Sequence, residues 1–122
     1  MARSSEHQPA TRPLRPEEAQ HLAEAISTFG AASRLRLLWA LLDKERTVEE
    51  LTEETGLTQS ATSQQLRVLR EARLVKVRRD GRHAFYALYD HHVPDLLAAM
   101  RHHYEHVELG DGSAKAQAAE NR

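Results

Sequence analysis

Side chains able to bind a metal ion gather in one stretch of this chain. Five of its eight histidines fall between His91 and His106, and Asp90 opens the same stretch. Two pairings stand out, Asp90-x-His92 at the start and His103-x-x-His106 near the end. Residues three apart on a helix share a face, so His103 and His106 can present imidazoles to one point. Imidazole nitrogen and carboxylate oxygen are ligands that zinc and its borderline neighbours accept. The chain has no cysteine, which excludes thiolate sites, disulfides and thiol chemistry.

One helix cannot close such a site. His92 and His103 are eleven residues apart, about 16 Å along a helix axis, whereas bonds to zinc are only about 2 Å long. Either the two pairs bind different things, or the helix meets an antiparallel copy of itself. In the second case a two-fold axis yields two identical sites. Each takes Asp90 and His92 from one chain and His103 and His106 from the other. Leu96, Ala99, Met100, His103 and Val107 recur as a single apolar stripe, the kind that docks against a partner helix. His106 lies beside that stripe. His102 follows Asp95 and Ala98 onto the polar flank and ranks below His103 as a ligand.

The elements that must position this helix fit one small domain of 122 residues. With 40% apolar and 29% charged residues, the composition is that of a globular chain. No stretch reaches membrane-span length and the N-terminus lacks a signal-like apolar run, so a cytoplasmic protein is expected. Residues 1–15 read as a disordered arm, 16–109 as the domain and 110–122 as a disordered tail. Net charge is −1, but it is unevenly spread. Seven basic residues against two acidic ones lie between Gln59 and Arg82, while six acidic against two basic lie between Asp43 and Glu54. A basic stretch on a nearly neutral domain is a footprint for a polyanion.

Periodicity predicts about five helices. Pro16-Glu17-Glu18 starts the first, and Ala19, Leu22, Ala23, Ile26 and Phe29 follow at helical spacing up to Gly30. Ser33 is the expected cap of a second, Arg34 to Leu42, apolar nearly all round and so central to the core. Thr47-Val48-Glu49-Glu50 is a capping box for a short third helix that stops at Gly56. Thr58 caps a fourth, Gln59 to about Ala72, with Thr62, Leu66 and Leu69 inward. Two alternating segments, Leu74 to Arg78 and Ala84 to Tyr89, flank the turn signal in Arg79-Asp80-Gly81-Arg82. Helix, glycine turn, helix and basic hairpin make a winged helix-turn-helix: mainly α with a β-hairpin wing.

The runs Ser33-Arg34-Leu35-Arg36-Leu37-Leu38, Leu57 to Leu66, Arg78-Arg79-Asp80-Gly81-Arg82 and Tyr86-x-Leu88 resemble the ArsR/SmtB family. The resemblance covers roughly Glu17 to Leu109. It implies a homodimer joined through its terminal helices that binds double-stranded operator DNA and releases it on binding metal. The Asp90-x-His92 and His103-x-x-His106 spacing resembles the branch that senses zinc, or nickel and cobalt, on the last helix. Four N/O ligands favour tetrahedral Zn²⁺ over Ni²⁺ or Co²⁺; His7, His91, His102 and Glu108 are possible additions. Two departures stand out: Gln64 replaces a frequent histidine, and Arg73 replaces a common glycine after the recognition helix.

In a dimeric winged helix, two recognition helices enter successive major grooves roughly 34 Å apart. Gln59, Ser60, Ser63 and Gln64 are then placed to meet base edges. Arg67 and Arg70 would contact phosphates, and Arg78, Arg79 and Arg82 the backbone or minor groove beside the wing. No His-Glu-x-x-His is present, so hydrolytic metal chemistry is not expected; the alternative to a metal sensor is a metal-independent winged-helix regulator, which would bind no stoichiometric metal. Neither a membrane nor a small organic substrate is expected as a partner.

Overall fold

The structure is a computed structural model that describes residues 11–110. The elements are α1 (Pro16–Ser27), a 3₁₀ turn (Thr28–Gly30), α2 (Ala32–Ala40), β1 (Arg46–Thr47), α3 (Val48–Thr55) and α4 (Gln59–Glu71). They continue through β2 (Val75–Asp80), β3 (His83–Leu88) and α5 (His92–Tyr104), which runs into a π-helical turn (Glu105–Gly110). Residues 1–10 of the expected arm, with His7, and residues 111–122 of the expected tail lie outside the described residues. From residue 11 on, the arm is tied to α1. Arg12 forks onto Glu18 at 3.0 and 2.7 Å, and Glu18 also accepts the Arg15 backbone N–H at 2.9 Å. The Arg12 guanidinium, helped by that N–H, lowers the Glu18 carboxyl to a pKa of about 2.

One apolar cluster joins five elements. Leu37, Leu38 and Leu41 of α2 and its end meet Leu51 of α3, Leu66 and Leu69 of α4, Val75 of β2, and Val93 and Leu97 of α5. Each such side chain contributes roughly 1.5–3 kcal/mol when fully buried. α1 contributes none: no residue of it is buried, and Leu22 and Ile26 are 47% and 59% exposed.

The helix-turn-helix is built from local signals. Thr47 accepts the Glu50 N–H at 3.2 Å, while Glu50 accepts the Thr47 N–H at 2.9 Å, closing the start of α3. Gly56 ends it at φ +75°, a conformation that costs glycine little. Thr58 accepts the Ala61 N–H at 3.0 Å and starts α4. Across the corner, the Thr52 hydroxyl donates to Thr62 at 3.0 Å, and Thr62 donates to the Thr58 carbonyl at 2.8 Å. These bonds satisfy the fully buried Thr62.

At the end of α4, Leu74 N–H donates to the Leu69 carbonyl at 2.9 Å, and Arg73 N–H to that of Arg70 at 3.0 Å. This is a Schellman arrangement, and Arg73 holds the left-handed position at φ +60°. Arg73 thus holds a backbone conformation that glycine adopts at less cost. In the hairpin, Asp80 pairs with His83, which leaves Gly81-Arg82 as the loop. Gly81, at φ +63°, occupies the first central position, as a II′ turn requires.

Two expectations need correction. Ser33 does not cap α2; the helix starts at Ala32 after Ala31, whose extended backbone (φ −110°, ψ 126°) sets the entry. It also stops at Ala40 rather than Leu42, because Arg46 Nε donates to the Ala40 carbonyl at 2.6 Å and takes one of its last acceptors. Leu42 is left 41% exposed, and Leu35 and Trp39 half-buried. In addition, β1 pairs with β3 (Arg46↔Tyr86, Thr47↔Phe85), so the wing is a three-stranded sheet of order β1-β3-β2.

Candidate nucleic-acid interface and metal-ligand pairs

α4 turns Thr62, Leu66 and Leu69 into the core, and the 3.6-residue period therefore leaves the opposite face to solvent. Gln59, Ser60, Ser63, Gln64, Arg67 and Arg70 are all exposed there. Gln59 and Ser63 line a cleft shared with Arg82 and His83 of the hairpin and with Glu49 of α3. The structure thus brings the start of α4 and the wing tip to one surface. Sequence reasoning missed His83 and Glu49 as walls of this cleft. Adjacency to Arg82 was the only signal for His83, and Glu49 carried none.

The three wing arginines are not equivalent. Arg78 forks onto Glu45, with Nε 3.3 Å from Oε2, lies 3.7 Å from Asp80, and sits 4.7 Å from the centre of the Phe85 ring. The hydrogen bond from Arg78 lowers the Glu45 carboxyl from its ordinary range. Arg79 and Arg82 make no ion pair among the described residues.

The first ligand pair is assembled at the start of α5. Asp90 Oδ1 accepts the His92 N–H at 3.0 Å, and its Oδ2 lies 3.5 Å from His92 Nδ1. Desolvation alone would raise the Asp90 carboxyl, but the His92 N–H and imidazole outweigh it and the net shift is downward. Asp90 therefore presents an ionised oxygen beside His92. The His91 ring lies 4.1 Å from that of His92.

The second pair sits on an uncovered face. Val93 and Leu97 turn into the chain's own core, while Leu96, Tyr104 and Val107 are 44%, 58% and 42% exposed. His103 lines a shallow apolar groove with Ala99, Met100, Tyr104 and Val107. His106 belongs to the π-helical turn, whose i→i+5 winding is wider than the α-helical winding assumed for the His103/His106 pair. His102 lines a separate groove with Trp39, Leu42, Pro94, Ala98 and Arg101. Among the described residues, no three His, Asp or Glu side chains of the single chain gather as a metal-binding group. The donors, all imidazole or carboxylate and all exposed, fit a borderline divalent ion such as zinc in their chemistry.

Two helices at a glycine corner, a second helix lined with Gln, Ser and Arg, and a basic hairpin packed beside it define a winged helix-turn-helix DNA-binding protein. Residues 32–77 match the family model for bacterial regulatory proteins of the arsR family. The chain belongs to that family, whose members are transcriptional regulators and not enzymes. It is 40% identical over 104 residues to the transcriptional repressor SmtB homolog of Synechocystis, a match covering 81% of this chain and 79% of the relative. It is 44% identical over 102 residues to the HTH-type transcriptional regulator NmtR of Mycobacterium tuberculosis, covering 81% and 85%. The crystal structure of M. tuberculosis Rv0081 superposes with a TM-score of 0.75 at 36% identity, covering 82% of this chain and 99% of that one. A homodimeric winged helix-turn-helix domain from Mycobacterium bovis gives 0.70 at 27% identity, covering 82% and 94%. Among the described residues, no helix is long and apolar enough to cross a membrane.

Proposed function

We propose that the chain is a cytoplasmic metal-responsive transcriptional repressor that binds operator DNA as a homodimer and leaves it when zinc binds at the dimer interface. One observation carries the reading. The Asp90–His92 pair is ready-made at one end of α5, and His103 stands at the other end on an apolar face that its own chain leaves bare. An antiparallel second copy covers that face and brings the two halves together. Asp90 and His92 of one protomer, with His103 and His106 of its partner, would hold the ion. Bound zinc supplies a cross-link between the two helices.

Gln59, Ser60, Ser63 and Gln64 read base edges, while Arg67, Arg70, Arg79 and Arg82 contact the backbone. Arg78 is the weakest member of that set, because its guanidinium is already held by Glu45. Metal and DNA oppose each other, and DNA weakens metal by the same factor. The relatives support the reading at the level of transcriptional repression.

A second reading, nickel or cobalt as inducer, is favoured by His91. Its ring beside His92 offers a further nitrogen to an ion that prefers more than four ligands. The test is a titration of the purified protein with zinc, nickel and cobalt while following binding to its own promoter fragment. Zinc should release the DNA at two ions per dimer. Stronger release by nickel moves the assignment to the second reading, and release by no metal sinks both.

A further inference from the structure

Arg34 reaches two elements at once from its seat on α2. Its Nε donates to the Thr28 carbonyl at 2.7 Å, and its Nη1 donates to Gln65 Oε1 at 3.0 Å. Thr28 belongs to the 3₁₀ turn that ends α1, the helix with no buried residue. Gln65 sits half-buried in α4, next to the exposed Gln64. One guanidinium therefore ties the end of the uncovered helix to the helix that would read DNA. A cation suits the Thr28 carbonyl, since the C-terminal end of a helix carries partial negative charge. The planar fork matters too, because it offers several donors in fixed directions and an ammonium does not.

The neighbours of this strut face α5. Phe29 follows Thr28 and Leu35 follows Arg34, and both line an apolar groove with Trp39, Met100, Arg101 and Tyr104. The Arg101 guanidinium lies 5.8 Å from the centre of the Trp39 ring. A shift of α5 or α1 at this corner bears on Phe29 and Leu35, and so on residues adjoining both anchors of Arg34.

We propose that Arg34 is a positioning residue: it holds α4 at the pitch that DNA binding needs and passes the arrangement of α1 and α5 to that helix. The inference rests on the DNA-binding reading above. Its core is a property of the metal-free protein, so it does not depend on which metal acts.

The test uses the full chain, its own promoter fragment and zinc sulfate. Wild type, Arg34→Gln, Arg34→Lys, Gln65→Met and the Arg34→Gln/Gln65→Met double variant are compared, with urea unfolding of each. Arg34→Gln and Gln65→Met should each weaken metal-free DNA binding on the order of tenfold, the effect of losing a charge-assisted hydrogen bond. Arg34→Lys should behave like Arg34→Gln. The double variant should fall no further than about twofold below the worse single, since the two residues share one bond. Zinc affinity without DNA should stay within about twofold of wild type, while the effect of zinc on DNA affinity shrinks.

Loss of stability with unchanged DNA affinity in the folded variants would make Arg34 merely structural and overturn the proposal. So would additive effects, or full rescue by lysine. If Arg34→Gln does not fold, Gln65→Met decides by the same tenfold criterion, since it removes one bond and keeps the side chain's bulk. Wild type that binds its promoter but ignores zinc sinks the metal reading alone, and the metal-free comparison still judges the strut. Wild type that does not bind its promoter sinks the DNA reading and the strut with it.

Discussion

Helices α4 and α5 are both thirteen residues long, yet one chain completes them to different degrees. α4 is capped at its start by Thr58 and closed at its end by the bonds of Arg73 and Leu74, and its inward residues are fully buried. Its polar face is thus fixed by the chain's own core and needs no partner to be ordered. α5 buries Val93 and Leu97 but leaves Leu96, Tyr104 and Val107 uncovered, and changes winding at Glu105. The surface proposed to read DNA is finished within a protomer, whereas the surface proposed to bind metal is half of something. A regulator arranged this way can keep its reading helix intact while the pitch of that helix and the relation between two copies change.

Breaking the shared half should have the largest effect. Homodimers of His92→Ala or His103→Ala should lose zinc affinity by more than the 10–100-fold typical of losing a supporting group, and should repress constitutively. Mixing them sharpens the comparison, since a His92→Ala/His103→Ala heterodimer keeps one site whole and puts both defects in the other. Calorimetry should count one tight zinc per mixed dimer. A count of zero means that each chain holds its own site. His102→Ala, in its separate groove, should still bind two.

On the α4 side, Gln64→Ala should change the ranking of operator variants by about 1–3 kcal/mol per contacted base. Arg67→Ala should instead weaken all duplexes alike and flatten the salt dependence by about two units of slope, roughly one for each protomer of the dimer. A selection on randomised duplexes checks both, and an unchanged ranking for Gln64→Ala would misplace the reading face. Next in size is Arg73→Gly. A non-glycine residue in the left-handed region carries roughly 1–2 kcal/mol of strain, so this change should raise stability by about 1 kcal/mol in urea without altering DNA preference. The smallest effect concerns the wing. Arg79→Ala should reduce the salt slope of DNA binding more than Arg78→Ala does, because Glu45 already holds Arg78. Equal slopes would mean that DNA draws Arg78 away from Glu45.

How far the sequence could be read follows the same division. The capping box at Thr47 and Glu50, Gly56 at its left-handed turn, the Thr58 cap and the inward Thr62, Leu66 and Leu69 are local signals, and they name α3 and α4 almost to the residue. Arg73 was visible as a residue in a glycine's place. The start of α2 was not, because Ser33 has a capping side chain but the backbone turn at Ala31 governs entry. β1 spans two residues, too few to alternate. The π turn at Glu105 has no sequence signature, and the shared face of His103 and His106 holds only for α-helical winding. Arg34 carries no sequence signal of its own beyond its place in the Ser33 to Leu38 run, since both its anchors come from the tertiary fold. Of the candidate site residues, the exposed face of α4 and the Asp90–His92 pair were legible from periodicity and adjacency. The inward hold on Arg78 depended on Glu45, 33 residues away.

None of the twelve residues of α1 is fully buried against its own chain. If a second copy supplies the missing contacts, mass action makes the unfolding midpoint rise with protein concentration. At high dilution α1 should fray first and exchange its amide protons well before the core opens. Under the proposed dimeric repressor, copy number would then be a variable of repression in its own right, since dilution would remove the dimer and with it the contacts that order the first helix.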